Sequence, residues 1–219
     1  MLKGIKGIIF DFDGVIAESN QVKTDAFVEL YSDHGADIVQ RVLNHHEANG
    51  GISRFEKIQY YHKTFLNIDL SEKEIMELAD RFSKLVVNEV IDAPYVPGAL
   101  EYIKKNHERY KLFISTGTPT KEINEILERK NIAHYFMDVY GSPKKKKDHI
   151  MDIRIKNNLK PDEIIFFGDS KTDIEAAFYH NVQIIIRMHK HNSNYFNSNH
   201  HKIIRDFSEI EMFKMNQNN

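Results

Sequence analysis

Short apolar runs rich in β-branched and aromatic residues recur at 7–10, 111–114, 136–140, 164–167 and 183–186, each too short for a helix. Continuous rather than alternating hydrophobicity marks strands covered on both faces, as in a parallel sheet. Amphipathic stretches at 99–106, 120–130, 147–157 and 173–179 lie between or beside the later runs and predict helices. Strands alternating with helices imply right-handed crossovers, and hence an α/β fold with a doubly wound, Rossmann-like parallel sheet.

One stretch breaks this rhythm. Between Ala17 and Asp92 the pattern predicts helices at 20–31, 37–47, 53–65 and 71–90, and no strand. Gly50-Gly51 and Asn67-Ile68-Asp69 punctuate the stretch, Ser71 with Glu74 forms a capping box, and Pro94 and Pro97-Gly98 mark the return to the sheet pattern. The expected organisation is a catalytic core of residues 1–17 and 93–219, with an inserted all-helical cap at 18–92 and hinges near 17–19 and 92–97. The Asn- and His-rich tail from His189, including Asn192, Asn194, Asn197, Asn199 and His200-His201, reads as solvated loop.

Composition narrows the function classes. With 41% hydrophobic residues, a chain of 219 buries about 70% of its unfolded surface, so global disorder is excluded. Thirty basic residues nearly balance thirty-two acidic ones, and the formal charge of -2 gives no general attraction for nucleic acid or an anionic membrane. No apolar run approaches the ~18 residues of a membrane span or resembles a signal-peptide core. The absence of cysteine excludes disulfides, thiolate zinc sites and a cysteine nucleophile, and fits a cytoplasmic location.

In an open α/β sheet ligands bind beyond the carboxyl ends of the strands, so the residues just after each strand are the first candidates. They are polar here: Asp11-Phe12-Asp13-Gly14, Ser115-Thr116-Gly117-Thr118, and Gly168-Asp169-Ser170-Lys171-Thr172-Asp173. Asp11, Asp13 and Asp169 are expected to converge, and carboxylates brought together repel unless a cation sits among them. With oxygen ligands alone, Mg²⁺ is the natural choice.

Taken in order with the lysines after Gly141-Ser142-Pro143, these segments resemble the four motifs of the haloacid dehalogenase-like hydrolase superfamily. A helical insert directly after the first motif is similar to the branch of phosphoglycolate phosphatases and β-phosphoglucomutases. The resemblance implies that Asp11 is a nucleophile forming an aspartyl-phosphate, that Asp13 is the acid/base, and that Asp169 ligates metal with Asp173 as a partner at the metal site. It makes Ser115 the phosphate-binding residue of the second motif, with the backbone N–H groups of Thr116 and Gly117, although the same run also reads as a helix N-cap. One of Lys144 to Lys147 should bridge Asp11 and phosphate; Lys146 fits the spacing, with Ile150 four places on.

In the insert, Gly50-Gly51-Ile52-Ser53-Arg54 is similar to a β-phosphoglucomutase cap segment whose arginine holds a distal anionic group, which implies that role for Arg54. Lys57 is a second candidate for it, and His45 and His46 read as surface or cap-packing residues. Asp13 favours phosphoryl transfer over dehalogenation. Mutases of the β-phosphoglucomutase type usually carry a histidine ten residues after the second aspartate, where this chain has Lys23. The expected activity is therefore a Mg²⁺-dependent phosphatase acting on a small phosphorylated metabolite (phosphoglycolate, a sugar phosphate or a nucleotide), with a phosphosugar mutase as the alternative. The sequence fixes neither substrate nor oligomeric state.

Overall fold

The structure, a computed structural model, describes residues 4–193, 196 and 202–210. Six parallel strands form one sheet: β1 (Gly7–Phe10), β2 (Lys111–Pro119), β3 (Asp138–Ser142), β4 (Ile164–Gly168), β5 (Gln183–Arg187) and β6 (Lys202–Ile204), in the order β3-β2-β1-β4-β5-β6. The chain moves outward from β1 on one side and then from β4 on the other, so the winding reverses beside β1. At that point the carboxyl ends of β1, β2 and β4 leave a crevice. The register puts Phe10 level with both Ile114 and Phe167, so Asp11, Ser115 and Gly168 lie at one height.

Strand alternation divides the core between the two faces. Ile8, Phe10, Leu112, Ile114, Ile165 and Phe167 point to one side, under α5 (Ala99–Asn106) and α6 (Thr120–Arg129). Ile9, Phe113, Ile164 and Phe166 point to the other, under α7 (Lys146–Asn157) and α8 (Lys171–Tyr179). The doubly wound sheet is thus present, with one strand more than the sequence pattern predicted. β6 has three residues and stands alone in a polar tail, which leaves little periodicity to read. Strand β3 begins at Asp138 rather than 136, because Ala133–Tyr135 forms a 3₁₀ turn with Phe136 as its cap.

Four helices lie between β1 and α5: α1 (Asn20–Tyr31), α2 (Ala36–Ala48), α3 (Arg54–Tyr61) and α4 (Glu72–Asp92). The Ser53 hydroxyl accepts from the Glu56 N–H to start α3. The Ser71–Glu74 capping box starts α4, where the two residues satisfy each other's N–H groups. α3 ends at Tyr61 instead of running on to 65, because residues His62–Leu66 widen into a π turn closed by Asn67 in the left-handed region. Phe27, Tyr31, Tyr61 and Phe82 pack where these helices meet. Among the described residues no helix is long and apolar enough to cross a membrane. Asn194, Asn197, Asn199 and His200-His201 lie outside the described residues.

Candidate active site

Asp11 continues β1 with its amide donating to Phe167 O at 2.8 Å, which fixes it between β1 and β4. Alternation turns its carboxylate to the face that carries α7 and α8. There Lys146, the first residue of α7, sets its ammonium between Asp11 and Asp173, bonding both, the latter at 2.6 Å. Among the four neighbouring lysines, Lys146 is the one that reaches the carboxylates. Lys144 turns to Asp152, Lys145 lies 3.7 Å from Glu56, and Lys147 lies over the Tyr179 ring.

Asp173, wholly buried one turn into α8, is held from both sides. One oxygen takes Lys146, and the other accepts the Ser170 amide at 3.1 Å and the Ser170 hydroxyl. That bond pattern starts α8 at Lys171, ahead of the predicted 173. Asp11, Asp169 and Asp173 each offer an oxygen within 4.8 Å of the others, so these three can hold a metal ion. The charges call for one. Burial, followed by the charges of Asp173, Asp169 and Asp13, pushes Asp11 up to about 8 against the pull of Lys146. One ammonium does not balance this group, and its oxygen-only donor set suits a hard divalent cation.

Asp13 stands apart from that trio. Its carboxylate accepts from Lys23, from the Ser19 hydroxyl at 2.7 Å and from the Thr118 hydroxyl at 3.1 Å. Burial works to raise its pKa, but these donors, Lys23 foremost, hold it below the ordinary carboxylate value. Asp11, Asp13 and Asp169 line one cavity, as expected, while the carboxylates that lie close enough together to share an ion are those of Asp11, Asp169 and Asp173. Gly14 sits at φ +72°, where a Cβ would fall 2.2 Å from Asp169 Oδ2, so the Asp11-to-Gly14 turn needs a glycine to let Asp169 approach.

Ser115 corrects the sequence reading. Ile114 points toward α5 and α6, so Ser115 points the other way, fully buried, with its hydroxyl 2.9 Å from His149 Nδ1 on α7. His149 Nε2 lies 3.2 Å from Gly141 O, and burial pulls this histidine down to about 4, so it is neutral. Thr116 and Gly117 line the cavity with Asp11, Asp13 and Asp169, as expected.

Arg54 also departs from its expected role. Its guanidinium lies over Phe82 and forks onto Glu122 of α6, with one bond at 2.8 Å, and donates to Ser83 at 2.7 Å. It borders the cavity, but Glu122 occupies the anion-binding fork. The sequence reading gave Glu122 no role, because helical spacing does not show what a residue 68 positions away will meet.

The loop after β5 adds residues that the tail's composition concealed. His189 Nε2 lies 2.8 Å from Asp169 Oδ2, Asn20 donates to the same oxygen at 3.0 Å, and buried Asn192 donates to Asp169 O at 2.8 Å. His189 to Asn192 is therefore packed against the site, contrary to a solvated loop. The signal available was position, since His189 follows a strand's carboxyl end.

The haloacid dehalogenase-like hydrolase family matches residues 8–186. A phosphoglycolate phosphatase from Photorhabdus laumondii is 32% identical over 185 residues, spanning 81% of this chain and 77% of the relative. A phosphorylated carbohydrates phosphatase from Thermotoga maritima is 27% identical over 190 residues, spanning 79% and 80%. The crystal structure of a β-phosphoglucomutase from Clostridium difficile shares the fold, with a TM-score of 0.74 at 20% identity over 95% of this chain and 96% of that one. The chain is similar to phosphoglycolate phosphatases, belongs to the haloacid dehalogenase-like hydrolase family and is a phosphatase.

Proposed function

We propose that this phosphatase hydrolyses a small phosphomonoester through an aspartyl-phosphate on Asp11, with Mg²⁺ held by Asp11, Asp169 and Asp173. The observation that carries the reading is the bond from Lys146 to Asp11 in a buried acidic cluster at the switch point of the sheet. Mg²⁺ bound there offsets the repulsion between a carboxylate and an approaching phosphate.

Asp11 attacks phosphorus and the ester oxygen leaves. Lys146 would steady the charge on the phosphoryl oxygens, and Thr116 and Gly117, which line the cavity, would bind them through their amides. Asp13 takes a proton from solvent when the substrate binds and gives it to the leaving oxygen; it then takes one from the water that attacks the aspartyl-phosphate, releasing phosphate and restoring Asp11, and returns that proton to solvent. Lys23 keeps Asp13 ionised in the free enzyme, the form that accepts a proton from water. Lys23 at this position favours hydrolysis over the phosphosugar mutase alternative.

In this reading residues 18–92 are a cap that closes over a core of 1–17 and 93–219 and shields the first step from bulk water. Close packing supports it: a Cβ on Gly117 would lie 2.8 Å from Gly51 O, so the loop before α3 rests directly on the phosphate-binding segment. The lack of cysteine is compatible with work in the cytoplasm.

The test is phosphate release from phosphoglycolate, hexose phosphates, nucleoside monophosphates and an aryl phosphate, with Mg²⁺ and with chelator. Release that needs the metal supports the reading. No release from any ester overturns it.

A further inference from the structure

The loop after β5 carries a network that the proposed chemistry does not use. Buried Asn192 commits its whole side chain to it: its oxygen accepts the His189 N–H at 2.7 Å, and its nitrogen donates to Arg187 O at 3.0 Å and Asp169 O at 2.8 Å. The loop is thereby fixed to the end of β4 and brings the His189 side chain, 8% exposed, to Asp169 Oδ2 at 2.8 Å. The His191 N–H donates to His189 Nδ1 at 3.2 Å, so the ring proton resides on Nε2 and is donated to Asp169.

The same oxygen takes a second donor. Asn20, the first residue of α1, donates to Asp169 Oδ2 at 3.0 Å, with its nitrogen 3.1 Å from His189 Nε2. Gly14 leaves room for this meeting, since a Cβ there would fall 2.2 Å from Asp169 Oδ2 and 2.3 Å from the Asn20 nitrogen. A carboxylate oxygen has two lone pairs, and both of those on Oδ2 are engaged, which leaves Oδ1 as the oxygen available to an ion.

That division bears on which ion fits. Mg²⁺ demands a near-ideal octahedron at about 2.0–2.1 Å and takes one oxygen from a carboxylate, whereas Ca²⁺ takes about six to eight ligands and readily chelates both oxygens. Pinning Oδ2 therefore suits Mg²⁺ and withholds the second oxygen from Ca²⁺. We infer that His189, with Asn20, is a positioning residue that holds Asp169 as a one-oxygen ligand and so sets the preference of the metal site for Mg²⁺ over Ca²⁺. The inference deepens the phosphatase reading and rests on it for the place of the metal.

The test is metal binding by the protein without substrate. Mn²⁺ is bound first, and EPR of the Mn²⁺ displaced by Mg²⁺ or by Ca²⁺ gives both dissociation constants. His189→Ala frees Oδ2 and should weaken Mg²⁺ roughly tenfold to a hundredfold, the scale for losing a group that orients a metal ligand. Ca²⁺ takes up the freed oxygen and should weaken by less than about threefold, so the preference for Mg²⁺ falls. Asn20→Ala removes the other donor, leaves the loop untouched, and should move the preference the same way. His189→Gln keeps an N–H donor and should retain part of it. Thermal unfolding without metal checks that each variant folds. Equal weakening of the two ions in both alanine variants, or an unchanged preference in both, overturns the inference. Failure of Mn²⁺ to bind the unsubstituted protein removes the metal site and the inference with it, whereas failure of the phosphatase reading alone shows as no phosphate release.

Discussion

Lys146 Nζ bonds Asp11 and Asp173 together, so a single ammonium at the start of α7 ties the end of β1 to the first turn of α8. All three side chains are almost wholly buried, and each depends on the others for charge balance. Although burial opposes its charge, Asp11 and Asp173 hold Lys146 above its ordinary value. Lys146→Met therefore leaves two carboxylates facing each other without a counter-charge. It should lower kcat roughly 10³-fold, the scale for losing a charge-stabilising donor. It should also lower Tm in chelator, with added Mg²⁺ recovering more stability in the variant than in the unsubstituted protein. Equal Mg²⁺ stabilisation of both proteins would contradict this.

Arg54 and Glu122 join α3 to α6 through a bidentate pair whose side chains are 3% and 7% exposed. Arg54→Met alone strands Glu122 and should cost about 3–5 kcal/mol in urea unfolding. The pair Arg54→Met with Glu122→Leu should recover most of that loss. A double variant no more stable than the single one would show that the pair is not energetically linked.

Ser115 and Thr116 are adjacent but should behave differently. Ser115→Ala removes the hydroxyl facing His149 and should cost about 1 kcal/mol of stability, with kcat/KM changed less than about threefold. Thr116→Val alters the cavity wall and should raise KM. The reverse ranking in steady-state kinetics would return Ser115 to the phosphate site.

His149 should give stability a pH dependence. Its folded value, about 4, lies below the ordinary 6.5, so between these values the unfolded chain binds the extra proton. The contribution is fully present above pH 6.5 and is lost as pH falls toward 4, amounting to about 3 kcal/mol by the 1.36 kcal/mol per unit conversion. His149→Gln, measured by urea unfolding at pH 7 and pH 4.5, should show a smaller difference between the two conditions. An unchanged difference would assign the acid sensitivity elsewhere.

The strand runs were legible because strands buried on both faces leave continuous apolar segments, and Asp11 and Asp169 because each directly follows one; Lys146 stood out among four lysines only through the resemblance and its spacing to Ile150. Ser115 was misplaced because alternation puts it on the same face as Asp11, and the contact that takes up its hydroxyl comes from His149, 34 positions away. The tail's polarity concealed β6 and the packing of His189 on Asp169. The fork from Arg54 to Glu122 and the bond between Lys57 and His46 depend on contacts between separate segments, which periodicity does not encode.

The proposed hydrolysis depends on covalent chemistry at Asp11. Acid quench of the enzyme during turnover with Mg²⁺, followed by mass spectrometry of its peptides, tests this directly. One phosphoryl group is expected on the peptide containing Asp11, absent in Asp11→Asn, which should also release no phosphate. Full turnover by Asp11→Asn, or a phosphoryl group found only at another residue, would contradict it.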